Sequence, residues 1–216
     1  EAPVRPHTES TASKMGQEER PLILVCNDDG IGSAGLKTLA ESLRGLGEVV
    51  VVAPDRERVA AGHSLTLSRP RRASHLGDGW YSVDGTPTDC ITLAVMELLP
   101  RRPHLVAAGI NHGSNLGDDV TYSGTVSSAI EATLQGIPAF AISVAGERNF
   151  DFRAAAHFAK RLGKEILWRG LPRDTLLNVN VPNLAPEAIQ GIAITRQGRR
   201  VYSETVVQKV DPRGKA

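Results

Sequence analysis

The feature that most constrains this chain is a series of short apolar runs with no polar break in them. Leu22 to Cys26 and Val49 to Ala53 are apolar at every position. A strand with one wet face alternates, so a strand apolar throughout is covered on both faces. Between such runs the spacing turns helical. Ala34 to Leu46 carries Leu36, Leu39, Ala40, Leu43 and Leu46, and Gly45 and Gly47 close it. A second helix is predicted over Pro87 to Leu99, where Thr86 can cap, Pro87 suits the first helical position and Asp89 falls in the first turn. Further helices are predicted over Val126 to Leu134 and Phe152 to Trp168. Further strands are predicted over His104 to Ile110, Pro138 to Val144, Leu176 to Val181 and Gly191 to Gln197. Leu65 to Val83 reads as a hairpin that turns at Gly77 to Gly79. Buried strands alternating with amphipathic helices imply an α/β fold, a mostly parallel sheet with helices on both faces. In such a sheet, chemistry belongs to the segments that follow the strands.

The 216 residues suffice for one sizeable domain. The reading divides them into a polar, disordered extension over 1–20, an α/β domain over 21–198 and an arm or truncated tail over 199–216. Lys plus Arg number 25 against 24 Asp plus Glu. This balance calls for no nucleic-acid partner and no membrane surface. The longest apolar runs are strand length, too short to span a bilayer. Cys26 and Cys90 are too few for a zinc site and read as buried, reduced thiols. With no signal-peptide core in residues 1–20, that points to the cytoplasm.

Three strand-following segments are rich in polar groups. The first is Asn27-Asp28-Asp29-Gly30. Adjacent carboxylates at the end of an apolar strand repel, and a nearby cation relieves the repulsion. Hard oxygen donors suit Mg²⁺ or Mn²⁺, while a solvated turn is the plainer alternative. The second segment, Ala53 to Ser64, offers Asp55, Arg56, Arg58 and His63, and by itself reads as a surface loop. The third, Gly109 to Ala129, holds Asn111, Asn115 and the run Ser123-Gly124-Thr125. That run opens a helix, whose free amides and positive dipole end suit a phosphate. A carboxylate pair and a phosphate cradle at one sheet edge imply metal-assisted chemistry on a phosphate ester.

Six motifs, in order, resemble the SurE family of survival-protein nucleotidases: "ILVCNDDGI", "VVAPDRER" with "AGHSLT", "VDGTPTDC", "GINHGSNLG", "YSGTVSSAIEA" and "GIPAFAIS". The resemblance spans about Leu22 to Gly198. It implies a Rossmann-like, three-layer domain that removes phosphate from nucleoside monophosphates, at the 5′ or 3′ position, through a metal-activated water. It implies one divalent ion per subunit, Mg²⁺ or Mn²⁺, on Asp28, Asp29 and Asn111. Asp28 or Asp29 would orient or deprotonate the water, and Asn115, Ser123, Gly124 and Thr125 would face the phosphate. Gly85 to Asp89 matches the family's "GTPADC" stretch and reads first as a capped helix start. A homodimer or homotetramer is the implied assembly.

Two departures qualify this. A serine after "PDRER" usually adds a ligand to the ion, and here that position is Val59. A water can complete a hard ion's shell, and Val59→Ser is expected to tighten metal binding. The family also continues beyond the equivalent of Ala216 with an aromatic-rich stretch. The alternative is therefore a weakened or non-catalytic nucleotide- or metal-binding member. An aspartyl-phosphate mechanism is disfavoured, because it needs two Asp separated by one residue and position 30 is glycine. A phospho-receiver module fits poorly, because no later strand ends on a suitable acceptor Asp.

Overall fold

The computed structural model describes residues 20–58 and 60–199. Val59, the 1–19 extension and the chain from residue 200 lie outside the described residues. One sheet is built from Leu22–Cys26 (β1), Glu48–Pro54 (β2), Ala73–Gly77 (β3), Trp80–Val83 (β4), Leu105–His112 (β5), Ala139–Ala145 (β6) and Leu176–Pro182 (β7). Its order is β3-β4-β2-β1-β5-β6-β7, and every neighbouring pair is parallel except β3 with β4.

Both faces of the sheet are covered, which is why β1 is apolar throughout. Ile23 and Val25 face Ala34–Leu43 (α1) and Arg153–Arg169 (α4), joining Leu36, Leu39 and Ala159 in one core. Leu22, Leu24 and Cys26 face Pro87–Leu93 (α2) and Gly124–Leu134 (α3), joining Ile91, Val126 and Ala129 in the other. Both cysteines are free and buried in this second layer, as expected.

The chain leaves β1 through α1 to β2 on one side, and returns through α2 to β5 on the other. The carboxyl ends of β1 and β5 are therefore neighbours where the winding reverses, the usual ligand site of an open α/β sheet. At that point β5 breaks its regular pairing with β6, between Gly109 and Asn111. The slip turns Ile110 toward the α1/α4 core with Ala107, out of step with simple alternation. Asn111 consequently lies beside Ser143, its pairing partner on β6.

Local chemistry fixes the helix starts. Ser33, Thr86 and Ser123 each accept a main-chain N–H at the start of α1, α2 and α3. At α2 the cap is reciprocal, with Asp89 accepting from the Thr86 amide.

The structure corrects several expected bounds. The helix predicted to reach Leu46 ends at Leu43, because residues 44–46 close by tighter turns. The helix predicted over Pro87 to Leu99 is α-helical only to Leu93, and Ala94–Leu98 continues as π-helix. The hairpin spans only Ala73 to Val83, since Pro70 interrupts the run before it and Leu67 is exposed. Gly191 to Gln197 is no strand: Ile192 and Ile194 alternate as a strand would, but both are exposed and no sheet edge pairs with them among the described residues. No described helix is long and apolar enough to cross a membrane.

Candidate active site

The turn after β1 is held from beneath by Asn27. Its buried amide donates to Gly30 O at 3.2 Å and to Ser33 Oγ at 2.8 Å. Gly30 has φ +94°, and a Cβ there would come within 2.8 Å of the Arg56 main chain, so only glycine lets the loops after β1 and β2 pack together. The Arg58 amide donates to Asp28 O at 2.8 Å and pins the second loop over the first.

Asp28 lies at the N-terminus of α3. The Thr125 hydroxyl donates to Asp28 Oδ1, and its oxygen is 3.4 Å from Asn111 Oδ1. Burial pushes the Asp28 carboxyl up, and the Thr125 hydroxyl with the first amides of α3 partly offsets this. Gly124 makes the approach possible, because a Cβ there would sit 2.7 Å from Asp28 Cβ.

Asp29 is pushed up to about 6, by burial first and then by the charge of Asp28, with His112 pulling the other way. Its Oδ1 is 3.1 Å from His112 Nδ1, while its Oδ2 is buried without a partner. The Asn111 amide donates to Gly113 O at 2.8 Å and to His112 O at 3.3 Å, so its oxygen is turned toward Thr125.

Asn115 is knitted into the sheet edge. Its amide donates to Ser143 Oγ at 2.9 Å, its main-chain N–H donates to Asn180 Oδ1, and its carbonyl accepts from Asn178 and Asn180. Ser123 caps α3 through Val126 N.

These groups surround a cleft of about 270 Å³ lined by Asp28, Asp29, Glu57, Asn111, His112 and Asn115, with Ser123 beside them. Among the described residues that line it there is no lysine or arginine. Of the residues expected at the site, Asp28, Asp29, Asn111, Asn115 and Ser123 line the cleft, whereas Gly124 and Thr125 stand behind Asp28. Asp55 and Arg58 from the second segment pair with each other, and His63 bonds Glu131 on α3. No cluster of three His, Cys, Asp or Glu side chains that could hold a metal occurs among the described residues; the third oxygen here is an amide.

The sequence reading missed His112, Asn178 and Asn180. Two Asn at alternate positions of the otherwise apolar "LLNVNVP" were the available signal for the last two, since both fall on one strand face.

The family model for survival protein SurE matches residues 23–204. The chain belongs to the SurE family. It is 58% identical over 194 residues to the 5′-nucleotidase SurE of Pelobacter propionicus, covering 89% of this chain and 78% of that protein. It is 57% identical to the 5′-nucleotidase SurE of Geobacter sulfurreducens, covering 89% and 74%. The crystal structure of SurE from Aquifex aeolicus superposes with a TM-score of 0.84 at 48% identity, covering 90% of this chain and 79% of that one. The SurE fold is thus shared over 90% of this chain.

Proposed function

We propose that this chain is a nucleotidase that hydrolyses nucleoside monophosphates with the help of one divalent ion, Mg²⁺ or Mn²⁺. The observation that carries the metal is the cleft's charge. A phosphate monoester is an anion, yet the cleft presents Asp28, Asp29 and Glu57 and no described lysine or arginine. A bound cation offsets that negative charge and makes the cleft attractive to the substrate. The donors fit a hard ion: two carboxylates pushed up by burial, one of them with a buried, unpartnered oxygen, and an amide oxygen aimed at the same hydroxyl.

Asp28, Asp29 and Asn111 would hold the ion. Bound there, it supplies charge neutralisation for the phosphoryl oxygens and acidity for an attacking water. Thr125 and Gly124 set the position of Asp28 on α3. Asp28 or Asp29 would orient that water or receive its proton. Asn115 and Ser123 form the wall that faces the phosphate, and Asn178, Asn180 and Ser143 keep that wall rigid. The relatives' named activity makes 5′-nucleoside monophosphates the first substrates to test.

Phosphate release from a panel of nucleoside monophosphates, with Mn²⁺, with Mg²⁺ and with chelator, tests this. Chelation should abolish turnover, and Asp28→Ala should lower kcat by at least about a hundredfold. Full activity of Asp28→Ala, or of the wild type in chelator, would refute the mechanism.

A further inference from the structure

Each of the three oxygen donors needs something to hold it, because a carboxylate or amide free to rotate spends little time in a binding pose. Asp28 has Thr125, and Asn111 has the carbonyls of His112 and Gly113. Asp29 has His112, whose Nδ1 lies 3.1 Å from Oδ1. The imidazole is itself fixed. Its ring meets Phe150 edge-on at 5.2 Å and 82°, and Phe152 at 5.0 Å and 85°. Those two rings are near parallel, 12° apart in plane, with centroids separated by 6.4 Å. Both pack on the α1/α4 core. Their segment is anchored in turn by Asn183, which accepts from the Asp151 amide and donates to Asn149 O.

We propose that His112 is a positioning residue for Asp29: wedged against Phe150 and Phe152, it holds Oδ1 and leaves Oδ2 to the divalent ion. An ionised carboxylate offers only lone pairs, so the proton of this hydrogen bond sits on Nδ1. The end of β5 then does two jobs with two consecutive residues. Asn111 supplies a donor oxygen on the α3 side, and His112 steers a second donor from the α1/α4 side. The inference rests on the metal-dependent reading above.

Outer-shell partners of this kind change metal affinity by about 10- to 100-fold when removed. Calorimetric titration of the metal-free protein with Mn²⁺ is the direct measurement. His112→Ala should weaken Mn²⁺ binding by about tenfold. His112→Asn, whose side-chain N–H occupies the place of imidazole Nδ1, should recover most of the loss. Phe150→Leu, which keeps the imidazole but loosens its wedge, should fall between wild type and His112→Ala. It serves as the probe if His112→Ala does not fold, as checked by thermal unfolding in chelator.

Wild-type Mn²⁺ affinity in His112→Ala would overturn the proposal. So would equal weakening in His112→Asn and His112→Ala, because the hydrogen bond would then be irrelevant. These results leave a Mn²⁺-dependent wild type and defeat only the role of His112. A wild type that hydrolyses nucleotide without binding Mn²⁺ would instead defeat the metal reading, and this proposal with it.

Discussion

Gly124 shows how much of the site depends on a missing methyl group. It opens α3, and the sequence alone points to a phosphate cradle there, because a helix start exposes free amides. In the folded chain its closest business is with Asp28, since an added Cβ would lie 2.7 Å from Asp28 Cβ and 3.0 Å from Pro87 Cγ. Alanine is favoured over glycine in a helix by about 1 kcal/mol, but overpacking costs about 1–3 kcal/mol. The clash is with a buried side chain and a ring, neither of which swings away freely. Gly124→Ala should therefore be less stable by about 1–2 kcal/mol in urea denaturation under chelator, and should bind Mn²⁺ at least about tenfold more weakly. A variant as stable as wild type with unchanged Mn²⁺ affinity would mean that Asp28 yields without consequence. His112 was not legible in the same way. Nothing near position 112 announces a ring held by Phe150 and Phe152, whose segment arrives from beyond the next helix and strand.

Elements were legible where local chemistry decides them. The Thr86-Pro87-Asp89 start of α2 and the unbroken β1 are fixed by residues within one turn or one run of each other. The π-helical Ala94–Leu98 and the unpaired Gly191 to Gln197 were not, because a period states which face is apolar and says nothing of what will cover it. The α2 start also ties the second loop to the fold. Asp89 accepts from Thr66 N at 3.0 Å, from Thr86 N at 3.0 Å and from Arg71 at 2.6 Å. Burial pushes its carboxyl up, but the hydrogen bonds from Thr66, Thr86 and Arg71 outweigh this and hold it below the usual range. A depressed folded-state value stabilises above the unfolded value of 3.8, and the contribution disappears as pH falls through the folded value. Asp89→Asn should therefore lose about 2–3 kcal/mol at neutral pH. Its stability should also change less than that of wild type as pH falls below about 4. Parallel stability curves for the two proteins across that range would show that Asp89 does not carry the acid limb.

At the scale of the whole molecule, the winding of the sheet assembles the site. Asp28 follows β1, Asn111 is next to last in β5, Asn115 lies in the loop beyond it, and Thr125 is the second residue of α3. Nearly a hundred residues of chain separate Asp28 from Thr125, whose hydroxyl it accepts. An unfolded chain cannot bring the ends of β1 and β5 together, so an ion held by Asp28, Asp29 and Asn111 binds the folded state alone. Such a ligand stabilises by RT ln(1 + [L]/Kd), about 2.7 kcal/mol at a hundredfold excess over Kd. For a domain of this size each kcal/mol moves Tm by about 2–4 °C, so saturating Mn²⁺ should raise Tm by about 5–10 °C. Removing a donor from either strand end should cancel the rise, whichever end is chosen. Asp28→Ala and Asn111→Ala should each melt at a temperature that Mn²⁺ no longer changes, although they lie on different strands. A full Mn²⁺ shift in Asn111→Ala alone would confine the ion to the β1 turn. A full shift in both variants would place it outside the cleft, and the reversal of winding between β1 and β5 would then serve the fold without holding the metal.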